Sequence, residues 1–352
     1  MTYRVIQWAT GGVGRAAIEG IVAHPELELV GTWVHSSAKE GQDAGELAGI
    51  GRLGVAATTD VDALIALEAD CVVYAPLLPD EDVLCRLLAS GLDVVTPLGW
   101  VYPAAKDTEA LEKACAAGGS TLHGTGIHPG GITERFPLMV SGLTAAITHV
   151  RAEEFSDIRT YGAPDVLRDI MLFGAMPEAA MASPMVAWMG AGFGQSVRMV
   201  AAELGFAIDD EIQSSNEVAV ATAPIDTPMG VIEPGLVAAQ RFSWTATVAG
   251  EPVMTARVNW LMGEEHLAPA WHFAGKGERF EVELKGDPDV LVTFKGYQPV
   301  SVEAGLIRNP GIVATANHCV SAIPYVCAAG PGIKTYLDLP LIAGRAAPHL
   351  TR

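Results

Sequence analysis

The amino terminus of the chain carries a strand, a glycine-rich turn and a helix in immediate succession, and no other segment constrains the fold as strongly. Residues 3–7 fit a short strand, residues 9–14 read Ala-Thr-Gly-Gly-Val-Gly, and a helical pattern follows. The turn has the G-x-G-x-x-G spacing with Ala9 in its first position. In that geometry Gly11 lets the backbone approach a pyrophosphate, and Gly14 permits close packing of helix on strand. We predict dinucleotide binding here rather than a turn without a ligand.

The first 145 residues continue this alternation of short strands and helices. Such a pattern is typical of a parallel sheet with crossover helices, and it predicts a Rossmann-type α/β domain. The expected strands are Tyr3–Gln7, Leu27–Val34, Asp70–Tyr74, Asp93–Thr96 and Ser120–His123. The expected helices are Val13–Ala23, Val61–Leu67, Glu81–Ser90 and Thr108–Ala117.

Beyond this region the strands become longer, which predicts a second, α+β domain with a largely antiparallel sheet. The expected strands are Glu217–Thr222, Gln240–Ala249, Pro252–Leu261, Arg279–Leu284 and Val290–Phe294. The expected helices are Leu167–Phe173, Met185–Leu204 and Val313–Ala329.

Charge and cysteine usage narrow the classes of partner. The 352 residues include 22 Lys and Arg against 41 Asp and Glu, a net charge of -19, and no basic run stands out. Nucleic acid and anionic membrane surfaces are therefore disfavoured as partners. The five cysteines are widely spaced without metal-site spacing, and no long apolar segment begins the chain. We expect a cytoplasmic protein that binds a small molecule.

The end of the second expected strand bears on the choice of nucleotide. An NAD site would place an Asp or Glu there to bind the ribose 2′-hydroxyl, and this chain has none. Ser36, Ser37 and Lys39, together with Arg15, match the charge and acceptors of a 2′-phosphate. We expect NADP, with NAD possible, and the alternative is that these residues form an ordinary solvated loop.

Two further motifs carry a family resemblance. Residues 123–130 read His-Gly-Thr-Gly-Ile-His-Pro-Gly, and residues 317–324 read Asn-His-Cys-Val-Ser-Ala-Ile-Pro, followed by Gly-Pro-Gly-Ile-Lys-Thr at 330–335 and Asp-Leu-Pro at 338–340. With the amino-terminal Gln-Trp-x-Thr-Gly-x-x-Gly, the chain resembles the 2,4-diaminopentanoate dehydrogenase and native amine dehydrogenase group, relatives of dihydrodipicolinate reductase. The matches extend from residue 6 to residue 340.

The resemblance implies an NAD(P)-binding Rossmann domain over residues 1–145 that is completed by residues 306–352. It implies an α+β domain for substrate binding and oligomerisation over residues 146–305, an active site in the cleft between the two, and a homodimer. The cofactor-binding candidates come from the glycine turn, from the segment after the second expected strand and from the family resemblance. They are Thr10, Gly11, Gly12, Val13, Gly14, Arg15, His35, Ser36, Ser37, Lys39, Ala75, Pro76, Leu77, Thr96, Pro97, Gly126, Ile127 and Asn317.

The chain departs from its apparent relatives at two positions. Amine dehydrogenases of the group resemble one another in an acidic pair after the fifth strand, where a Glu activates ammonia, but residues 96–103 contain no carboxylate. This argues against efficient amination. His128 replaces the Asn of Gly-x-Asn-Pro-Gly, and an imidazole can donate a proton near pH 7. The His-His-x-x-Lys motif of dihydrodipicolinate reductase proper is absent, which disfavours that activity.

The catalytic candidates are few. His128 is the expected proton donor, and Tyr102 supplies a hydroxyl. Glu134 either orients His128, pairs with Arg135, or interacts with a helix dipole as a first-turn acid. The substrate-pocket candidates are Leu98, Trp100, Tyr161, Phe173 and Met176. His266 and His272 lie near two glutamates but lack a third well-placed ligand, so we expect no metal.

The sequence therefore predicts an NAD(P)H-dependent oxidoreductase that transfers a hydride to or from a C=O or C=N carbon of a small, largely apolar substrate. An amine dehydrogenase that aminates with ammonia is one alternative. A catalytically silent NADP-binding sensor or scaffold is another.

Overall fold

Contacts between residues divide the chain into two units, described here from a computed structural model over residues 2–104 and 107–350. Unit 1 contains the described residues up to Gly130 and those from Ile312 onward, and unit 2 contains Gly131–Gly311. The sequence placed the divisions at residues 145 and 306. Residues 131–145 associate with unit 2 because, for example, the Phe136 ring packs on that of Phe294 with centroids 4.7 Å apart.

The strands of unit 1 form one parallel sheet in the order β16-β6-β5-β4-β1-β2-β3. Its central strands are buried on both faces, as crossover helices require. The strands are β1 (Tyr3–Trp8), β2 (Leu27–Trp33), β3 (Ala57–Thr58), β4 (Cys71–Tyr74), β5 (Asp93–Thr96), β6 (Thr121–Gly124) and β16 (Gly332–Lys334). The predicted Rossmann-type parallel sheet is confirmed.

Helices cover both faces of this sheet with separate apolar cores. On one face Ile18 and Ile21 pack with Val320 and Ile323, and on the other Leu84 and its neighbours pack against β4 and β5. The helices are α1 (Gly12–Ala23), α2 (Ala44–Ala48), α3 (Val61–Ile65), α4 (Glu81–Ala89), α5 (Glu109–Gly118) and α10 (Pro310–Cys327). α2, β3 and β16 were not predicted, because two to five residues show no hydrophobic period.

Unit 2 contains a mixed sheet in the order β13-β8-β11-β12-β7-β14-β15. Neighbouring strands are antiparallel except β12 and β7, which are parallel, so the predicted largely antiparallel sheet is confirmed. Its strands are β7 (Ala145–Asp157), β8 (Gln213–Ala221), β11 (Val237–Val248), β12 (Glu251–Leu261), β13 (Leu267–Ala268), β14 (Arg279–Asp287) and β15 (Val290–Phe294).

Smaller elements complete unit 2. A two-stranded sheet pairs β9 (Ile225–Thr227) with β10 (Gly230–Ile232), and the helices are α6 (Phe136–Ser141), α7 (Pro177–Met181), α8 (Met185–Glu203) and α9 (Val302–Ile307). The predicted helix over 167–173 is wrong in its extent. A short π-helix covers Val166–Ile170 instead, and the chain is irregular at Leu172 because its φ is +59°.

The two faces of the unit 2 sheet differ in polarity. Even-numbered residues of β7, β12 and β14 form an apolar face that includes Ala152, Val258 and Val282. Odd-numbered residues of the same strands form a charged face, defined by Arg151, Glu153, Arg257, Asn259, Glu281 and Glu283. β7, with 13 residues, was not predicted as a strand, since its charged positions disguised the apolar ones.

Candidate cofactor and active site

The glycine turn after β1 has the backbone geometry of a phosphate-binding turn. Ala9 has a φ of +72°, a left-handed conformation that costs an alanine about 1–2 kcal/mol. A Cβ on Gly14 would lie 2.1 Å from the Ala9 carbonyl oxygen, so only glycine fits there. The buried Gln7 amide stabilises the turn by donating to the carbonyl oxygens of Trp8 (3.0 Å) and Ala9 (3.1 Å).

The start of α1 presents backbone N–H groups to an open surface. Gly11 occupies the N-cap position in extended backbone, and a Cβ placed on it would meet no heavy atom within 4 Å. Gly11 and Gly12 are exposed, and Val13 is half-buried. Because a helix amino terminus combines free N–H donors with the positive end of the helix dipole, this surface fits a pyrophosphate.

The ribose-end candidates lie beside this turn. The Lys39 Nζ donates a hydrogen bond of 3.1 Å to Thr10 Oγ1, which places its charge next to the glycine turn. Ser36 caps the short 3-10 helix Ser37–Lys39, and its hydroxyl accepts from the Ala38 N–H at 3.3 Å. Arg15 is exposed in the first turn of α1. His35 and Ser37 are exposed as well.

Three more predicted segments meet at the carboxyl ends of β4, β5 and β6. The Ala75 N–H donates to the Trp8 carbonyl oxygen at 3.2 Å, which ties the end of β4 to the end of β1. A Cβ on Gly126 would contact Pro97 Cβ and Thr315 Cγ2, each at 3.7 Å. These contacts bring Pro97, Gly126 and the first turns of α10 together at the edge where ligands bind in parallel sheets.

The remaining cofactor candidates are more dispersed. The half-buried Pro76 and the exposed Leu77 follow β4, and the buried Thr96 accepts from the Leu98 N–H at 3.2 Å. Ile127 bridges Gly130 across the tight loop that contains His128. Asn317 lies away from the turn, because a Cβ on Gly20, in the third turn of α1, would lie 2.8 Å from its Oδ1.

A polar cluster that the sequence did not single out fixes the start of the His128 loop. The Thr125 Oγ1 and His318 Nδ1 are 2.6 Å apart, and the Thr125 and Tyr336 hydroxyls form a short hydrogen bond. The Tyr336 hydroxyl also lies 3.3 Å from His318 Nδ1. These three side chains connect the loop after β6 to α10 and to the carboxyl-terminal segment. Thr125 and His318 lie within the motifs that carry the family resemblance, and Tyr336 directly follows the motif at residues 330–335. This proximity to the motifs was the available signal.

His123 supports the same cluster from within the sheet. Its Nδ1 lies 2.7 Å from the Lys334 carbonyl oxygen, so Nδ1 carries the proton and donates. Burial lowers the pKa of His123 to about 4, and the ring is therefore neutral at physiological pH. Its edge-on contact with Tyr336, with centroids 5.3 Å apart, helps to hold the phenol in place.

The three catalytic candidates lie in different settings. His128 is half-buried in the loop after β6. Glu134 is buried in a π-helix of unit 2 (Gly131–Arg135), where its Oε1 accepts a short hydrogen bond from Ser196 Oγ, a partner that the sequence did not indicate. Tyr102 lines a groove of about 580 Å³ in unit 1 together with residues of α5 and β16.

The substrate-pocket candidates belong to different units of the chain. Leu98 and Trp100 pack against the core of unit 1 on the side of α4 and α5. Phe173 belongs to the core of unit 2, and Tyr161 packs against that core. Met176 is 58% exposed at the start of α7. Their assignment to a substrate pocket stays a prediction.

Neither a cluster of metal ligands nor a membrane-spanning helix occurs in the part of the chain that the structure describes. Across residues 2–104 and 107–350, no group of three or more potential side-chain ligands is arranged to hold a metal ion. His272 Nδ1 lies 3.7 Å from Glu264 Oε2 without a third ligand from that set. In the same part of the chain, no helix is long and apolar enough to span a membrane.

Comparisons with known proteins agree with this arrangement. Residues 133–348 match the 2,4-diaminopentanoate dehydrogenase C-terminal domain, and residues 5–74 match the dihydrodipicolinate reductase N-terminus. An amine dehydrogenase from Streptomyces virginiae is 34% identical over 355 aligned residues, which cover 96% of each chain. A 2,4-diaminopentanoate dehydrogenase from Acetoanaerobium sticklandii is 23% identical over 73% of this chain and 67% of that protein.

A solved structure shares the fold. The amine dehydrogenase from Mycobacterium smegmatis superposes with a TM-score of 0.76 over 98% of both chains, at 22% identity. Parallel sheet, glycine turn and second-unit sheet define an NAD(P)-dependent oxidoreductase of the dehydrogenase and reductase class. The chain belongs to the 2,4-diaminopentanoate dehydrogenase family, and the predicted resemblance is confirmed.

Proposed function

We propose that this oxidoreductase uses NADP and transfers a hydride to or from a C=O or C=N carbon of a small, largely apolar substrate. Residues 1–145 and 306–352 would bind the cofactor, and residues 146–305 the substrate. The observation that carries the nucleotide choice is the hydrogen bond from Lys39 Nζ to Thr10 Oγ1, which holds a cation beside the glycine turn.

The residues of the turn fit a dinucleotide. The absent side chains of Gly11 and Gly14 leave room for the pyrophosphate and for the close approach of α1 to β1. Lys39, Arg15, Ser36 and Ser37 supply cations and hydroxyls for a 2′-phosphate. The nicotinamide cofactor, when bound, supplies or accepts the hydride. The residues of the chain bind it, orient it and handle the accompanying proton.

Separate substitutions of Lys39 and Arg15 by Gln test the nucleotide choice. Each should weaken NADPH binding about tenfold or more while changing NADH binding much less, because a charge-assisted hydrogen bond contributes roughly 1.5–3 kcal/mol. Lys113→Gln is the matched control, since Lys113 is exposed on α5 and pairs with Glu109. Equal losses for NADPH and NADH in the Lys39 and Arg15 variants would leave the nucleotide preference without support.

Two reactions remain within this proposal. Residues 96–103 carry no carboxylate, and His128 offers an imidazole in the loop after β6, which supports reduction of a carbonyl with His128 as proton donor. The 34% identity to an amine dehydrogenase supports reductive amination with ammonia as the second candidate.

Cofactor oxidation with a panel of aliphatic ketones, with and without ammonium, separates the two reactions. The first candidate predicts oxidation of NADPH that does not require ammonium and an alcohol product. A strict requirement for ammonium with an amine product would replace it by the second. If the protein binds NADPH tightly but oxidises it with no ketone, aldehyde or imine, both candidates fail and a sensor role gains support.

We propose a homodimer in the cytoplasm as the setting of this activity. The five cysteines, all within the described residues, are free thiols, which supports a reducing compartment. The mass of the protein in solution by light scattering tests the dimer. Twice 36.8 kDa is expected, and the mass of a single chain would contradict it.

A further inference from the structure

Adjacent glutamates on β7 face opposite sides of the unit 2 sheet and differ in their partners. Glu153, on the charged face, accepts a short hydrogen bond from Arg151 and one of 2.9 Å from Asn259. Its Oε1 also lies 3.7 Å from the Arg257 guanidinium. Glu154 forms no ion pair with any Lys, Arg or His that the structure describes. The fold neutralises the first carboxylate and leaves the second without a counter-charge.

The apolar surroundings of Glu154 make an ionised carboxylate without a counter-charge energetically unfavourable. Its cross-strand neighbours are Phe280 on β14 and Val258 on β12, and Phe242 on β11 lies beyond Val258. These three side chains are buried. Burial raises the pKa of the Glu154 carboxyl, because an ionised carboxylate among apolar groups loses hydration. A ligand of opposite charge would recover that lost free energy.

The carboxylate is nevertheless oriented and accessible. Its Oε1 accepts hydrogen bonds from Ser156 Oγ (2.7 Å) and Trp260 Nε1 (3.0 Å), and both donors favour the ionised form. Its Oε2 has no donor among the described residues, and the side chain keeps partial exposure to solvent. The Trp260 ring, whose centroid lies 5.9 Å from that of Phe242, is also half-buried beside the carboxylate.

We infer that Glu154 anchors a binding site for a protonated primary amine with an apolar substituent. The ammonium group donates to Oε2 and lies beside Trp260, where the aromatic ring adds a favourable interaction with a cation. A guanidinium fits less well, since its paired donors need both oxygens and Oε1 is already engaged. A metal ion needs more ligands, and the described residues hold no group of three or more.

The inference rests on the second candidate reaction of the proposed function, because reductive amination makes an amine the product or, in reverse, the substrate of the oxidoreductase. Its binding chemistry depends only on residues of unit 2. Amine binding and cofactor binding can therefore be measured separately on the same protein, and the failure of one is distinguishable from the failure of the other.

Calorimetric titration of the full chain with n-butylammonium chloride tests the site, with butan-1-ol as the uncharged probe. Wild type should bind the ammonium, and Glu154→Gln should lose about tenfold or more in affinity, as expected for a charge-assisted hydrogen bond. Butan-1-ol should bind both proteins weakly and alike. Affinity for the ammonium should rise with pH as the Glu154 carboxyl ionises, for as long as the amine stays protonated.

Glu278→Gln is the matched control. Glu278 is another half-buried glutamate of unit 2, and its Oε2 accepts from the Asp157 N–H at 2.7 Å in an acidic pocket of about 690 Å³. Because the Glu278 and Glu154 carboxyls interact electrostatically, Glu278→Gln should change the affinity for n-butylammonium much less than Glu154→Gln does. Loss in Glu278→Gln instead of Glu154→Gln would move the amine to that pocket and overturn the inference, as would equal binding by wild type and Glu154→Gln.

Two further variants keep the test decisive if Glu154→Gln does not fold. Trp260→Phe removes the indole donor and should weaken the ammonium about threefold or more, while Glu154→Asp keeps the charge and should retain part of the affinity. Unchanged binding in Trp260→Phe would contradict the site. NADPH titration of each variant shows whether the cofactor site is intact, and its failure in wild type would count against the proposed function alone.

Discussion

The glycine turn of unit 1 and the charged face of the unit 2 sheet stabilise the molecule by opposite means. In the turn, backbone geometry dominates: Gly14 permits a contact that a Cβ would block at 2.1 Å, and donors at the start of α1 stay available for a ligand. On the charged face, side-chain pairs dominate. The single guanidinium of Arg151 forms ion pairs with three glutamates, Glu153, Glu281 and Glu283. The donors of the glycine turn stay available because they are expected to bind a polyanion. The charges of the charged face are instead paired with one another and stabilise the sheet.

Gly14→Ala should have the greatest consequence of the substitutions considered, because it disrupts the backbone geometry of the glycine turn. The added Cβ would collide with the Ala9 carbonyl oxygen, so we expect the free energy of unfolding to fall by about 3 kcal/mol. We also expect NADPH binding to be lost. Urea unfolding and cofactor fluorescence measure the two effects.

Gly194→Ala on α8 is the control, because a Cβ there meets no heavy atom within 4 Å. It should leave both stability and NADPH binding near the wild-type values. A Gly14→Ala protein that binds NADPH as wild type does would show that the turn is not the phosphate site.

Arg151→Met removes the ion pairs at the centre of the charged face. The Arg151 side chain is 18% exposed, and its replacement leaves three glutamates with fewer cations. Arg279 still pairs with Glu281, and Arg257 still approaches Glu153. We expect a loss of about 2 kcal/mol in the free energy of unfolding, with NADPH binding unchanged.

Arg168→Met provides the comparison for an exposed ion pair. Arg168 is half-exposed and pairs with Asp165 and Asp169, so its removal should cost less than about 1 kcal/mol in the same urea titration. Equal losses in the two variants would mean that the charged face contributes no more than surface pairs do.

Glu278→Gln concerns an acid that directly precedes β14 and forms no ion pair with a described residue. Burial raises its pKa from 4.5 to about 7. Between these values the folded protein binds the extra proton, so its stability falls as the pH rises through that window. Allowing for the remaining solvent exposure of the side chain, this amounts to about 1 kcal/mol.

Thermal unfolding of wild type and Glu278→Gln between about pH 5 and about pH 8 measures the effect. The variant should lose less stability than wild type across this range. Parallel curves for the two proteins would indicate that Glu278 titrates in the folded protein as it does in the unfolded chain.

The same contrast explains what could be predicted from the sequence. The turn was predictable because its geometry demands particular residues within a few positions, and β4, α4 and β5 followed from local periodicity. β7 escaped prediction because its charged residues find their partners on β12 and β14, more than 100 positions away. The cluster of Thr125, His318 and Tyr336 escaped for the same reason, since it joins three distant segments.

Binding of NADPH and NADH to wild type and Lys39→Gln, followed by cofactor fluorescence, tests whether the chain binds NADP with Lys39 at the 2′-phosphate. We expect both nucleotides to bind wild type saturably, NADPH more tightly, and the variant to lose affinity for NADPH selectively. Absence of NADPH binding to the wild-type protein at millimolar cofactor would contradict this expectation.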